Sequence, residues 1–337
     1  MGETLITRLR EACSRFGERD AVSFRPGFRF ERWNYDRLWL DVCRAATMFR
    51  ELGLQPGDRV LLWAPNCPQW VINFFGAIKA GAVMVPMDMR VSPQFVETVV
   101  ERSEPRFAVI LRVTPKHPSL DNLDRVYIEE LADSLAHVSP DSDSSDESLP
   151  LAEILFKSGT TGTPKGVMLT HQNLIASVDS AKHHMPARPE DRLLSVLPLS
   201  HVFEQAGGLM LPLWHGASVT YATSRAPKRL SRLIKDSKPT TMLVVPQLLE
   251  LLLKSIECEV SRQGKERLWA LLNALAAGSP QAVRRLMFRS VHKRFGGQLE
   301  RFICGGAAMN VPVAQQWERI GIKVVQGYGA TEAAPTI

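Results

Sequence analysis

The sequence predicts an α/β protein with a largely parallel sheet, and three observations point there. Short apolar runs alternate with stretches of helical periodicity along most of the chain. Gly, Pro, Asp and Ser punctuate the joints between them. One apolar run leads directly into a loop of glycines and hydroxyl residues, the strand-to-loop arrangement that presents backbone N–H groups to an oxyanion.

The elements follow in order. Residues 32–54 carry Leu38, Leu40, Val42, Ala45, Ala46, Met48 and Phe49 at helical spacing, and Gly53 and Gly57 mark the end. A Pro-Gly-Asp turn then leads to RVLLW, a strand over residues 59–63. A helix over 67–79 has Pro68 in its first turn, where the missing N–H costs nothing. Strand 82–86, helix 93–103 and strand 107–111 continue the alternation. Residues 139–148, SPDSDSSDES, form a low-complexity acidic segment that reads as a solvated, mobile linker. It suggests two lobes, 1–138 and 149–337. In the second lobe, strands are expected over 193–197, 217–221, 242–245 and 301–304, and helices over 231–236, 246–257 and 311–320.

Composition sets the class. The chain has 337 residues, 45% hydrophobic and 23% charged, the balance of a globular protein with a sizeable core. Its net charge of +6 suits an anionic ligand such as a nucleotide. Part of the excess is local. Between residues 279 and 301 stand Arg284, Arg285, Arg289, Lys293, Arg294 and Arg301 against one acid, Glu300. That run reads as a solvated helix face or a membrane-surface or partner patch. No nucleic-acid recognition motif accompanies it. The five cysteines are scattered without a CxxC pair, which argues against a disulfide framework or zinc site. The opening residues lack an apolar signal core, and no stretch reaches the length of a membrane span. The expectation is a cytoplasmic protein, with peripheral membrane contact left open.

The segment EILFKSGTTGTPKGVMLTH, residues 153–171, carries the most chemistry. An apolar strand runs into Ser158, Gly159, Thr160, Thr161, Gly162, Thr163, Pro164, Lys165 and Gly166. Glycines let the backbone approach an oxyanion, hydroxyls add donors, and Lys165 adds a charge for phosphate. The order differs from GxxxxGK[ST], so this is not a Walker A loop.

The run SGTTGTPKG followed by VMLTH resembles the signature loop of the adenylate-forming superfamily, which includes acyl-CoA synthetases, luciferases and the adenylation domains of peptide synthetases. The resemblance extends over nearly the whole chain. Upstream, Trp33-Asn34-Tyr35, Gly57-Asp58-Arg59-Val60, Asn66 with Trp70, and the stretch from Gly81 to Asp88 fall in the family's order; these read as core and turn positions. The resemblance implies the large amino-terminal domain of that fold, with stacked, mostly parallel sheets flanked by helices. It also implies that Lys165 and residues 158–163 wrap the β- and γ-phosphates of ATP.

Two further constellations agree with it. LPLSHVFE, residues 197–204, is most like long-chain acyl-CoA synthetases, and the resemblance places His201 near the substrate carboxylate. Val202, Phe203, Gln205, Gly207 and Gln247 are candidates for an acyl wall. In CGGAAM the resemblance sets Gly306, Ala307 and Ala308 beside the adenine. In QGYGATE it gives Gln326, Gly327, Tyr328 and Gly329 to nucleotide binding, with Tyr328 stacking on the base. Thr331 then meets the α-phosphate and Glu332 holds Mg²⁺, a hard cation suited to one carboxylate plus phosphate oxygens. Lys165, His201, Thr331 and Glu332 are thus the expected catalytic set. ATP, Mg²⁺ and the co-substrate CoA are the implied cofactors, and a long-chain fatty acid is the expected substrate. Two alternatives stand beside this: a fatty acyl-AMP ligase delivering to a carrier protein, and a non-catalytic nucleotide- or acyl-binding module. The resemblance further implies a ribose-binding aspartate, a hinge and a small mobile domain beyond Ile337. The chain is therefore expected to be a truncated AMP-binding domain, 1–337, that binds nucleotide weakly and adenylates slowly.

Overall fold

The structure is a computed structural model that describes residues 2–141, 149–157, 164–224 and 226–334, apart from the side chains of residues 183 and 184. Its strands, in chain order, are β1 (Asp20–Phe24), β2 (Glu31–Asn34), β3 (Arg59–Trp63), β4 (Val83–Pro86), β5 (Phe107–Ile110), β6 (Asp124–Tyr127), β7 (Leu151–Lys157), β8 (Lys165–Thr170), β9 (Arg192–Ser195), β10 (Ser218–Tyr221), β11 (Thr241–Val244), β12 (Arg301–Cys304) and β13 (Lys323–Gln326).

They build two sheets. One has the order β13-β12-β11-β9-β10-β1-β2, the other β6-β5-β3-β4-β7-β8. Each is parallel except for a single antiparallel pair at one edge, β1 with β2 and β7 with β8. Helices flank both, as parallel strands with crossover connections require. The sheets do not divide where the acidic segment falls. β1 and β2 join the sheet made mostly by the second half, and β7 and β8 complete the sheet of the first half. The two expected lobes are therefore not the two sheets. Residues 142–148 of that segment lie outside the described residues, while Asp141 just before them is pinned by Arg50 at 2.6 Å and by the buried Lys79 at 3.5 Å.

Local chemistry explains the element boundaries. Ser92 caps the helix Pro93–Ser103, accepting from the Phe95 N–H, with Pro93 in the first turn. Thr170 and Asn173 form a reciprocal capping box that starts the helix His171–His184 directly from the end of β8. The stretch expected as one helical unit from residue 32 is a strand followed by a helix. Asn34 ends β2 and caps the helix Tyr35–Glu51. That helix packs on Pro68–Lys79, and the contact needs Gly76, where a Cβ would stand 2.5 Å from the Ala45 Cβ. The core beneath is aromatic, with Trp70 stacked on Phe74 at 5.1 Å and Phe49 edge-on to Phe107. No helix among the described residues is long and apolar enough to cross a membrane.

Candidate active site

The carboxyl ends of strands from both sheets open onto one cleft, the crevice where ligands bind in parallel α/β proteins. Its larger chamber is about 680 Å³ and the adjoining one about 490 Å³; Arg90, Lys157, His201, Val202 and Thr331 line both.

One wall is the β7–β8 hairpin. Its register sets Lys157, the last residue of β7, opposite Lys165, the first of β8. Two ammonium groups thus flank the base of the loop between them. Like charges facing across strands repel, so the pair favours an anion nearby. Glu332 supplies one: its carboxylate pairs with Lys157. The Lys157 bond, then the Glu332 backbone N–H and the Lys157 and Lys165 charges, hold that carboxyl below its ordinary value. Arg102 on the helix Pro93–Ser103 anchors the far side of the loop, donating to the Pro164 carbonyl at 2.9 Å. Residues 158–163, the expected phosphate-wrapping positions, lie outside the described residues.

A second wall follows β9. Asn66 ties this turn down: its amide donates to the Leu197 carbonyl at 2.6 Å, and its carbonyl accepts from the Leu199 N–H at 2.9 Å. The turn delivers His201 into the cleft, with Nε2 3.7 Å from Asp88 Oδ2. That distance is too long for a hydrogen bond, and an ion pair forms there only when the imidazole is protonated. Asp88 also accepts from the Arg90 backbone N–H at 2.8 Å and from its guanidinium at 3.1 and 3.2 Å. His201 first, and Arg90 after it, hold the Asp88 carboxyl well below the usual carboxylate range. Asp88, expected to be a plain turn position, is instead part of the cleft.

The third wall comes from β12 and β13. Gly305 packs flat against Phe203, where a Cβ would stand 2.8 Å from the ring, and Gly306 turns the chain at φ +82°. Both positions require glycine, one for space and one for its left-handed backbone. Gly327 donates to the Cys304 carbonyl at 2.8 Å, joining the two strand ends. Beyond it Tyr328 stands 74% exposed and lines the cleft.

The expected residues therefore distribute as follows. His201, Gly306, Gly327, Tyr328, Gly329, Thr331 and Glu332 line the cleft. Ala307, Ala308 and Gln326 are exposed beside it at the ends of β12 and β13. Lys165 sits at the base of the loop, close enough for its field to reach Glu332. Of the acyl-wall candidates, Val202, Phe203, Gly207 and Gln247 line the cleft. Gln205 does not. It is fully buried and donates to Glu153 at 3.0 Å, because its helix turns that face toward β7. Lys157 and Arg90 carry no motif of their own. The only sequence signal for Lys157 is a charge closing an apolar strand.

The Glu153–Gln205 pair lies behind the cleft wall, and burial pushes the Glu153 carboxyl up to about 8 from its ordinary 4.5. Between those values the folded chain keeps a proton that the unfolded chain has released. The associated stability is full below about 4.5 and is lost as pH rises through about 8. Glu153→Gln, which keeps an acceptor for Gln205, is expected to flatten this dependence. Thermal melts should place the variant about 5 °C above the native chain at pH above 8 and level with it near pH 4.5. Parallel melting curves at both pH values would contradict the assignment.

A family model described as AMP-binding enzyme matches residues 9–337. The long-chain-fatty-acid–CoA ligase FadD15 of Mycobacterium bovis is 27% identical over 89% of this chain and 57% of its own length. The long-chain-fatty-acid–CoA ligase of Bacillus subtilis is 24% identical over 99% of this chain and 60% of its own. The chain thus spans a little over half the length of these curated relatives. Among solved structures, the N-terminal domain of FACL13 from Mycobacterium tuberculosis superposes with a TM-score of 0.77 at 23% identity, covering 99% of this chain and 77% of that one. At that identity the likeness speaks to the fold alone.

Proposed function

This chain belongs to the AMP-binding enzyme family, and from that membership we propose that it activates a long-chain fatty acid as its acyl-adenylate for transfer to the thiol of CoA. The observation that carries the reading is the cleft. Tyr328, Thr331, Glu332 and Lys157 line one chamber together with Val202, Phe203, Ala206 and Gly207. A nucleotide needs the first group and an acyl chain the second.

The chemistry assigns a task to each side chain. A carboxylate oxygen of the acid attacks the α-phosphorus, an acyl–phosphate bond forms, and the α–β bridge breaks to release pyrophosphate. The thiol of CoA then attacks the acyl carbonyl, and AMP leaves. No general base is needed in the first step, because the nucleophile is already an anion; the protein's work is positioning and charge stabilisation. Lys157 and Lys165 meet the charge that develops on the leaving pyrophosphate. Thr331 donates to the α-phosphate, and Tyr328 offers a face to the adenine. His201, held near Asp88, borders the acid's carboxylate. Glu332 offers one exposed carboxylate, a donor set that fits Mg²⁺, which keeps several waters and takes few protein ligands. When bound, the ion would neutralise phosphate charge.

Pyrophosphate release by the chain, measured with ATP, Mg²⁺ and a ladder of fatty, aromatic and amino acids, tests the assignment. Release is expected to depend on the acid and to be fastest with long fatty acids. Faster release with aromatic or amino acids would overturn the substrate class. Release indifferent to the added acid, with no binding of ATP, would overturn the reaction.

A further inference from the structure

The excess positive charge of this protein is not spread over it. Residues 262–294 hold eight Lys and Arg against the single acid Glu266; the remaining residues hold 33 basic and 34 acidic side chains, close to neutral. The same short segment carries Leu268, Leu271, Leu275, Val283 and Leu286 among its large apolar side chains exposed to solvent. Charge and exposed hydrocarbon coincide on one set of helices.

The packing shows why these leucines face outward. The helix Glu266–Ala276 turns Trp269 and Leu272 toward the core, with Trp269 edge-on to Phe288 at 5.3 Å. Leu268, Leu271 and Leu275, at i, i+3 and i+7, form a second apolar stripe on the outer side, 50%, 56% and 57% exposed. A helix of a water-facing surface has one such stripe, not two. The next helix, Gln281–Met287, adds Leu286 at 71% exposure. A groove of about 210 Å³ lies beside the helix Glu266–Ala276, between it and residues 256–263 and 287–294, lined by Leu268, Trp269, Leu272 and Phe288 among others.

The arginines of this segment are tied mostly to neutral groups, and only Glu259 beside Arg262 and Arg294 offsets part of the charge among the described residues. Arg284 donates to the Ser279 and Glu318 carbonyls, and Arg285 to the Leu299 and Gly297 carbonyls. Arg294 donates to Ser255. All of these partners are neutral. Arg262 is paired with Glu259. Arg301, the last residue of the basic run, behaves differently: it turns inward to Asp191 at 2.7 Å and takes no part in the patch.

We propose that this helical face, residues 262–294, docks the protein on an anionic lipid surface, with the outer leucines entering the headgroup–acyl boundary and the arginines and lysines meeting lipid phosphates. Charge complementarity selects that occupant. Apolar insertion combined with a cationic field is the signature of interfacial helices, whereas a nucleic acid would have no use for the leucines. The cleft residues do not belong to this face, so docking would leave the active site's chemistry unchanged.

Co-sedimentation of the chain with vesicles of phosphatidylcholine, alone or mixed with phosphatidylglycerol, tests it. Binding is expected only to the mixed vesicles and should weaken at high salt. Leu271→Ser combined with Leu275→Ser, both at exposed positions, is expected to weaken binding about tenfold without changing the melting temperature. Arg289→Glu combined with Lys293→Glu should weaken it by at least about tenfold. Absence of binding to mixed vesicles at low salt would overturn the proposal. So would binding that the leucine variant leaves unchanged, since the contact would then be electrostatic alone. A chain that dimerises through this face, loses the dimer in the leucine variant and ignores vesicles would overturn it in favour of a protein contact.

Discussion

Replacing Lys157 by Met is expected to slow acyl-adenylate formation roughly a hundredfold, read as single-turnover pyrophosphate release, while the fold stays intact. Lys157 ends β7 at the base of the β7–β8 hairpin and is paired directly with Glu332 in the cleft. It is half-exposed, so its removal opens no cavity. What disappears is a fixed positive charge at the point where negative charge leaves the reacting phosphorus. Glu332→Gln should cost at least as much, because it removes an exposed carboxylate suited to a divalent cation beside Lys157. The two changes share a partner, so the double variant should be far less than additive. A Lys157→Met chain that turns over at the native rate would show that Lys165 and the loop suffice, and would return Lys157 to a structural role.

Asn66→Ala is expected to lower stability by roughly 2–3 kcal/mol and to raise the apparent KM for the acid more than it lowers the rate. Asn66 satisfies the Leu197 carbonyl and the Leu199 N–H at once, and these bonds fix the turn that carries His201 into the cleft. Without them two half-buried backbone groups lose their partners and His201 loses its aim at Asp88. Denaturant melts and acid titration of the rate measure the two parts separately. Asn66→Asp keeps the acceptor for Leu199 but loses the donor to Leu197, and should fall between native and Ala. A stable Ala variant with unchanged KM would mean that the turn is held by its apolar packing alone.

These two residues mark the line between what the sequence displays and what it conceals. Tyr328, Thr331 and Glu332 are visible in sequence because the backbone between them is short and its glycines are conspicuous. Lys157 and Arg90 are invisible as motifs. Their roles come from the β7–β8 register, from the return of Glu332 against Lys157 from far along the chain, and from the turn after β4 that brings Arg90 onto Asp88. Gln205 shows the opposite failure. It stands in a run of apparent acyl-wall residues, but one helical turn separates facing the cleft from facing Glu153. Edge strands were harder to see than central ones. β3 and β12, buried on both faces, read as unbroken apolar runs, whereas β2 (ERWN) and β13 (KVVQ) expose polar side chains and carry no strong period.

By itself the sequence determined the fold class and the starts of several helices, and it singled out the Gly/Thr loop and the Tyr-Gly-Ala-Thr-Glu run as candidate nucleotide contacts. Each of these is local: a period, a cap, or a turn that needs glycine. Only the tertiary structure decided which half of the chain supplies which sheet, that Lys157 faces Glu332, that Asp88 joins the cleft, and that the basic run separates into an inward Arg301 and an outward face bearing leucines. Those outcomes depend on pairing between residues far apart in the chain, where burial and charge are settled by neighbours that no local pattern names.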